Sequence, residues 1–174
     1  MSIDRTLQAY QRFGVNLGLE RIERLLADLG NPHQRVPTIH VAGTNGKGSV
    51  CAYLSSILAA AGYRVGRYTS PHLVDWNDRI CINDRPIASD TLQQTLDRVA
   101  AAISPNFPCP TQFEVLTAAA WLYFAEQAVD IAVVEVGLGG RLDATNVIYR
   151  PLVSIITSIS WDHWERLGNS IAAI

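Results

Sequence analysis

Several signals that would place this chain in a special class are missing. No stretch approaches the ~20 apolar residues that a membrane-spanning helix needs. The most apolar window, residues 115–125, is interrupted by Thr117 and reads as a buried helix. The opening Met1-Ser2-Ile3-Asp4-Arg5 has no apolar stretch behind it, so no secretory leader is expected. Cysteine is scarce: Cys51, Cys81 and Cys109 are odd in number and widely spaced, which fits neither a disulfide framework nor a zinc site. Reduced thiols in a cytoplasmic protein are therefore expected, with Cys51, four residues after Lys47, read as a small buried hydrophobe. Charged residues make up only 17% and the formal net charge is −2, which argues against nucleic acid or a membrane surface as a main partner. There is no internal repeat and no low-complexity segment. What remains is 174 residues, 48% of them apolar: one ordinary globular domain with room for a substantial core.

Apolar periodicity predicts helices at about 3–12 and 17–29, the second stopped by Gly30-Asn31-Pro32. Residues 38–42 form a short apolar strand, followed by a glycine-rich loop and a helix over about 47–61 that Gly62 ends. Residues 63–68 read as the next strand, and 79–82 with 85–87 as a small hairpin around Asn83-Asp84. Ser89 or Asp90 is the expected cap of a helix reaching Ile103. Thr111 and Glu114 have capping-box spacing at the head of a helix to Gln127. The runs 130–136 and 152–158 are continuously apolar and of strand length. Strands apolar on both faces, alternating with helices, predict an α/β fold with a mainly parallel sheet covered by helices on each side.

The chemistry concentrates in Gly43-Thr44-Asn45-Gly46-Lys47-Gly48-Ser49, between a strand and a helix. Glycines let the backbone approach phosphate oxygens, the helix N-terminus directs N–H groups at the anion, and Lys47 adds a full charge. A phosphate-binding loop in an ATP-using protein is the favoured reading. The competing one is a tight turn with a solvent-facing lysine. The general rule for such loops puts Ser or Thr directly after the lysine, to hold Mg²⁺. Here Gly48 takes that place and Ser49 follows, so a metal-holding oxygen is needed elsewhere.

This loop is followed by Tyr68-Thr69-Ser70-Pro71-His72-Leu73, then by Arg79-Ile80 with Asn83 and Pro86-Ile87. Thr111-Gln112-Phe113-Glu114 with 117–120, the long block 135–146, and Asp162-His163 with Leu167-Gly168 come next, while 16–22 lies near the start. In this order the blocks resemble the folylpolyglutamate synthase and dihydrofolate synthase family of the Mur ligase superfamily, over nearly the whole chain. The resemblance implies a P-loop-containing Mur ligase-type ATP-binding domain and ATP-dependent amide formation. A pterin-linked carboxylate would attack the γ-phosphate of ATP, and the amine of L-glutamate would displace phosphate from the acyl phosphate. Dihydropteroate or folate, ATP, L-glutamate and Mg²⁺ are the implied partners of a monomeric enzyme.

By the same resemblance, Thr44, Asn45, Gly46, Lys47, Gly48 and Ser49 hold ATP, while Ser70, Glu135 and His163 surround the metal, with Lys47, Glu135 and His163 catalytic. Glu135 lies within an apolar run, where an unpaired carboxylate is costly; a metal explains it, and an N-cap or an ion pair with Arg141 is the alternative. Ser70 beside Pro71 also suits a simple turn, and a lone His163 also suits a structural or exposed position. Substrate contacts are implied for Asn16, Leu17 and Gly18, for Thr111, Gln112, Phe113 and Glu114, and for Arg141, Leu142 and Asp143. Asn16 competes as a helix cap and Glu114 as the capping-box partner of Thr111, while the four tryptophans read as packing residues. Family members continue into a carbamylated lysine and a C-terminal glutamate-ligase domain. The 174 residues are thus expected to be an N-terminal piece, with little turnover alone. A non-catalytic ATP- or folate-binding module and a Mur-type cell-wall ligase are the rival readings. Against the latter stand Gly48, where a Thr is usual, and the block 69–73.

Overall fold

In the computed structural model, residues 3–11, 16–172 and 174 are described. The chain runs α1 (Ile3–Gln11), α2 (Glu20–Asp28), β1 (Thr38–Ala42), α3 (Lys47–Ala60), β2 (Val65–Tyr68), β3 (Ile80–Ile82) and β4 (Arg85–Pro86). It continues with α4 (Ser89–Ala102), α5 (Gln112–Glu126), β5 (Ile131–Glu135), β6 (Val153–Ile156) and the single turn α6 (Trp164–Leu167). The six strands form one sheet in the order β4-β3-β2-β5-β1-β6. The four strands β2, β5, β1 and β6 are parallel, and the β3–β4 hairpin adds an antiparallel edge.

The period-two alternation of strand side chains divides the core into two layers. In β5, Ala132 and Val134 face a large cluster with Leu7, Leu26, Leu96, Leu116, Trp121 and Phe124, drawn from α1, α2, α4 and α5. Val133 faces the other way and joins Val41, Val65 and Cys51 under α3. Burial pushes the Cys51 thiol up to about 12, with the nearby Glu135 charge adding to the effect, so it serves as a small hydrophobe. Helices thus cover both faces, as the apolar strands predict. Among the described residues no helix is long and apolar enough to cross a membrane.

Three local expectations need correction. The N-cap of α4 is Ala88, with Ser89 and Asp90 already inside the first turn, and Asp90 there complements the helix dipole. Asn16 does not cap α2. That helix begins after Leu19, and Gly18 takes a φ of +142° to turn the chain into it. The apolar run of β6 is not covered on both faces: at this edge of the sheet Val153 is 49% and Ile156 66% exposed.

Candidate functional site

All four parallel strands end on the same side of the sheet, the side where open α/β sheets place their ligands. The loop after β1 is drawn toward the segment after β6. Gly43 has a φ of +129°, and a Cβ there would overlap the Thr157 hydroxyl. Thr44 N–H donates to Ser158 O (2.6 Å), and the Thr44 hydroxyl exchanges hydrogen bonds with the Ser160 backbone. Gly46, with a φ of +84°, is the N-cap of α3, so the first-turn amides of that helix open at the loop. Lys47 Nζ folds back onto the carbonyls of Gly43 (2.8 Å) and Thr44 (3.1 Å). Lys47 lines a narrow pocket of about 40 Å³ with Gly43, Thr44, Gly137, Leu138, Asp162 and His163.

A larger cavity of about 300 Å³ adjoins this pocket and shares Gly137 and Leu138 with it. Its walls come from four separate segments: Asn16-Leu17-Gly18, Ser70-Pro71, the start of α5 at Thr111, Phe113 and Glu114, and the loop after β5 at 137–138 and 142–144, with Arg79 at one side. Each wall has its own anchor. Gly18 N–H donates to Leu142 O (3.2 Å), and the Arg21 guanidinium donates to Asn16 O (2.6 Å). Arg21 Nε also donates to Glu114 Oε2, which accepts Thr111 N–H as well (2.6 Å), so Glu114 closes a capping box and an ion pair at once.

Asp143 anchors the fourth loop from within. Its carboxylate is 3% exposed. Oδ2 accepts Leu138 N–H (2.9 Å), while Oδ1 accepts the N–H and the hydroxyl of Thr145 (2.9 and 2.5 Å). The Thr145 hydroxyl lies 2.8 Å from His40 Nε2. A carboxylate only accepts, so the hydroxyl proton goes to Asp143 and His40 Nε2 carries the proton donated to Thr145. Burial lowers the His40 pKa below its usual value, against the opposing pull of Asp143.

Glu135, 5% exposed, ends β5 on the α3 face, two residues before Gly137, which both cavities share. It accepts Ser70 N–H at Oε2 (3.1 Å). Burial raises its pKa above the ordinary carboxylate value, and the Ser70 hydrogen bond and the charges of Lys47, Arg67 and Arg79 only partly offset this. Arg141 does not pair with it. Among the described residues no three His, Cys, Asp or Glu side chains form a metal-holding group.

No family model matches the chain. The dihydrofolate synthase/folylpolyglutamate synthase of Bacillus subtilis is 46% identical over 168 residues, which is 94% of this chain and 39% of that protein. The dihydrofolate synthetase of Saccharomyces cerevisiae is 48% identical over 163 residues, 92% of this chain and 38% of that protein. Among solved structures, E. coli FolC in complex with DHPP and ADP matches with a TM-score of 0.92 at 37% identity, over 99% of this chain and 42% of that one. The chain belongs to the dihydrofolate synthase and folylpolyglutamate synthase family. It spans about two-fifths of the length of the curated relatives it matches.

Of the substrate contacts that this family implies, Asn16, Leu17, Gly18, Thr111, Phe113, Glu114, Leu142 and Asp143 line the larger cavity together. Gln112 does not: it lies one step round the helix, and its side chain donates to Leu7 O (3.2 Å). Arg141 is exposed and lines a neighbouring hollow with Gly139, Gly140 and Arg166. Thr44 differs from the expected phosphate donor, since both its N–H and its hydroxyl are committed to the 158–160 segment. Asn45 and Ser49 are exposed at the loop, and Gly48 lies against Glu135. His163, in a left-handed conformation before α6, lines the Lys47 pocket with its ring 3.7 Å from Asp162. Trp121 is core, Trp161 and Trp164 are exposed, and no tryptophan lines the cavity. Arg79, Pro71 and Leu138 were not named as contacts by the sequence, although all three fall in family blocks.

Proposed function

We propose that this chain is the nucleotide- and pterin-binding part of an ATP-dependent ligase that joins L-glutamate to dihydropteroate, to folates, or to both. The observation that carries the reading is the wall at Gly137-Leu138, shared by the larger cavity and the pocket over Lys47. An acceptor in the first and a nucleotide phosphate in the second would meet beside Glu135. Two kinds of ligand are known from the similar structures: FolC is complexed with DHPP and ADP, and an FPGS structure with AMPPCP and folate.

In such a reaction the acceptor carboxylate attacks the γ-phosphorus, releasing ADP and forming an acyl phosphate. The glutamate amine then adds to the acyl carbon and phosphate leaves. Both reactants of the first step are anions. Lys47 and the α3 N-terminus supply positive charge where they approach.

Ser70, Glu135 and His163 are the residues we assign to Mg²⁺. The fit rests on Glu135, a buried carboxylate with one hydrogen bond and a raised pKa, for which a hard divalent cation is the natural partner. When bound, the ion would neutralise phosphate charge as the carboxylate approaches. We assign the 174 residues to the ATP-binding domain and the glutamate-ligase domain to residues outside them. A cytoplasmic setting fits three free cysteines.

Calorimetry with ATP·Mg²⁺ and with dihydropteroate tests the reading. Both should bind saturably, and Lys47→Ala should weaken the nucleotide at least tenfold. Glutamate-dependent phosphate release should fall far below the 1–10³ s⁻¹ typical of enzymes. Failure to bind either ligand refutes the proposal. Turnover at ordinary enzyme rates refutes the division of the active site between this domain and another.

A further inference from the structure

We propose that Arg79 is the residue that receives the carboxylate of the acceptor in the larger cavity, and that His72 and Trp76 hold it for that task. This rests on the functional reading above and names the group that selects an anionic acceptor.

A half-buried guanidinium normally finds a carboxylate. The other partly buried arginines of this fold do so: Arg21 pairs with Glu114 (3.1 Å) and Arg67 with Asp84 (3.3 Å). Arg79 is the exception. It is half-buried, it lines the cavity, and among the described residues it forms no ion pair. Its one side-chain hydrogen bond among them runs from Nε to His72 Nδ1 (3.2 Å).

That bond leaves the two terminal nitrogens of the fork, the edge that suits a carboxylate bidentately. The plane of the fork is set as well. The guanidinium carbon stands 4.7 Å from the centre of the Trp76 ring, and the His72 ring packs on the same tryptophan at 4.6 Å. Trp76 is held in turn by its indole N–H, which donates to Asp4 (2.8 Å). Arg79 itself closes the one-turn helix Trp76–Arg79, whose start is fixed by a capping box between Asp75 and Asp78. This is a pre-organised fork with its working edge unused.

Its position fits the chemistry. Arg79 shares its part of the cavity with Ser70 and Pro71, and Ser70 N–H bonds the Glu135 carboxylate. Glu135 also acts on Arg79 through charge, without reaching ion-pair distance. Arg79 thus stands at the Ser70-Pro71 wall, where Thr69 N–H donates to its carbonyl (3.0 Å), while Phe113, Leu142 and Ala144 provide apolar wall for a flat ring. The ligand class that satisfies both is a planar aromatic system ending in a carboxylate.

The test compares dihydropteroate with its carboxamide, a neutral near-isostere, by calorimetry on the full chain. Wild type should favour the carboxylate at least tenfold. Arg79→Gln should bind both within about twofold of each other, at the wild-type affinity for the carboxamide. Arg79→Lys should keep part of the preference. His72→Asn, which restores an acceptor for Nε, should discriminate better than His72→Leu. Urea midpoints of all four variants show that each is folded. If Arg79→Gln and Arg79→Lys both keep the full preference, or weaken both ligands equally, this proposal is overturned while the functional reading stands. If wild type binds neither pterin, both fall.

Discussion

The buried chain His40–Thr145–Asp143 makes a quantitative demand on stability. Replacing Thr145 by Val keeps the shape of a fully buried side chain and exchanges its hydroxyl for a methyl. Two bonds vanish together: the 2.5 Å donation to the Asp143 carboxylate and the 2.8 Å acceptance from His40 Nε2. A hydrogen bond to a charged group contributes about 1.5–3 kcal/mol, and a buried N–H left without a partner costs about 1–3 kcal/mol. Burying the extra methyl returns about 0.8 kcal/mol. The net loss is therefore roughly 2–5 kcal/mol, a large part of the ~5–15 kcal/mol that holds a domain together. Thr145→Ser keeps the hydroxyl, loses only a methyl and should cost about 1 kcal/mol. Urea unfolding followed by circular dichroism reads both, with the Val variant's midpoint shifted down by about 1–2 M. A Val variant within about 0.5 kcal/mol of wild type, or a Ser variant as damaged as the Val one, would refute the network. Nitrogen chemical shifts should independently show the proton of neutral His40 on Nε2.

Two further outcomes follow from buried ionisable groups. The pKa of Glu135 is raised in the fold, chiefly by burial. Its contribution to stability is thus complete below the unfolded carboxylate value and is lost as pH rises through the folded one. At pH 7, Glu135→Gln should therefore stabilise the metal-free chain by about 1 kcal/mol while abolishing any effect of Mg²⁺ on its melting. A lower melting temperature would mean that Ser70, Lys47, Arg67 and Arg79 outweigh burial. His40 and His33 behave oppositely: burial lowers both pKa values, against the pull of Asp143 and Glu23 respectively. Their stabilising contribution is present above about pH 6.5 and should be lost as pH falls from there through the folded values. In the Glu135→Gln variant, which removes the opposing titration of Glu135, urea midpoints between pH 7.5 and 5.5 should fall, and a flat or rising profile there would contradict the burial of neutral imidazoles.

What the sequence revealed and what it hid have one physical origin, the range of the interactions concerned. The strand–loop–helix around Lys47 was legible because glycine, lysine and apolar spacing act locally. The Thr111–Glu114 box was legible for the same reason, since both partners lie within one turn. The competing cap reading of Asn16 fails because Leu142, the partner of that turn, lies 124 residues beyond Gly18. Gln112 and Phe113 are neighbours in sequence, yet a helix turns successive side chains about 100° apart, so only one of them reaches the cavity. An apolar run also says nothing about which neighbour covers it, and so β6 was taken for a strand covered on both faces. Arg79 could not be singled out at all, since its distinguishing property is the lack of an acidic partner in space.

Gly48 brings these ranges together. Alternation along β5 puts Ala132 and Val134 on one face and Val133 and Glu135 on the other, so the acid at the strand end must point toward α3. The residue that it meets there is Gly48. A Cβ at 48 would lie 3.7 and 3.9 Å from the two carboxylate oxygens, in ordinary contact. The hydroxyl that general phosphate loops place at this position would extend one bond further, into the space around the carboxylate. The same carboxylate is already met from the opposite loop by Ser70. A glycine after the lysine and an acid at the end of the central strand are thus two sides of one arrangement. On the proposed assignment of Ser70 and Glu135 to Mg²⁺, the oxygen ligands would lie at the ends of β2 and β5 instead of at the helix start.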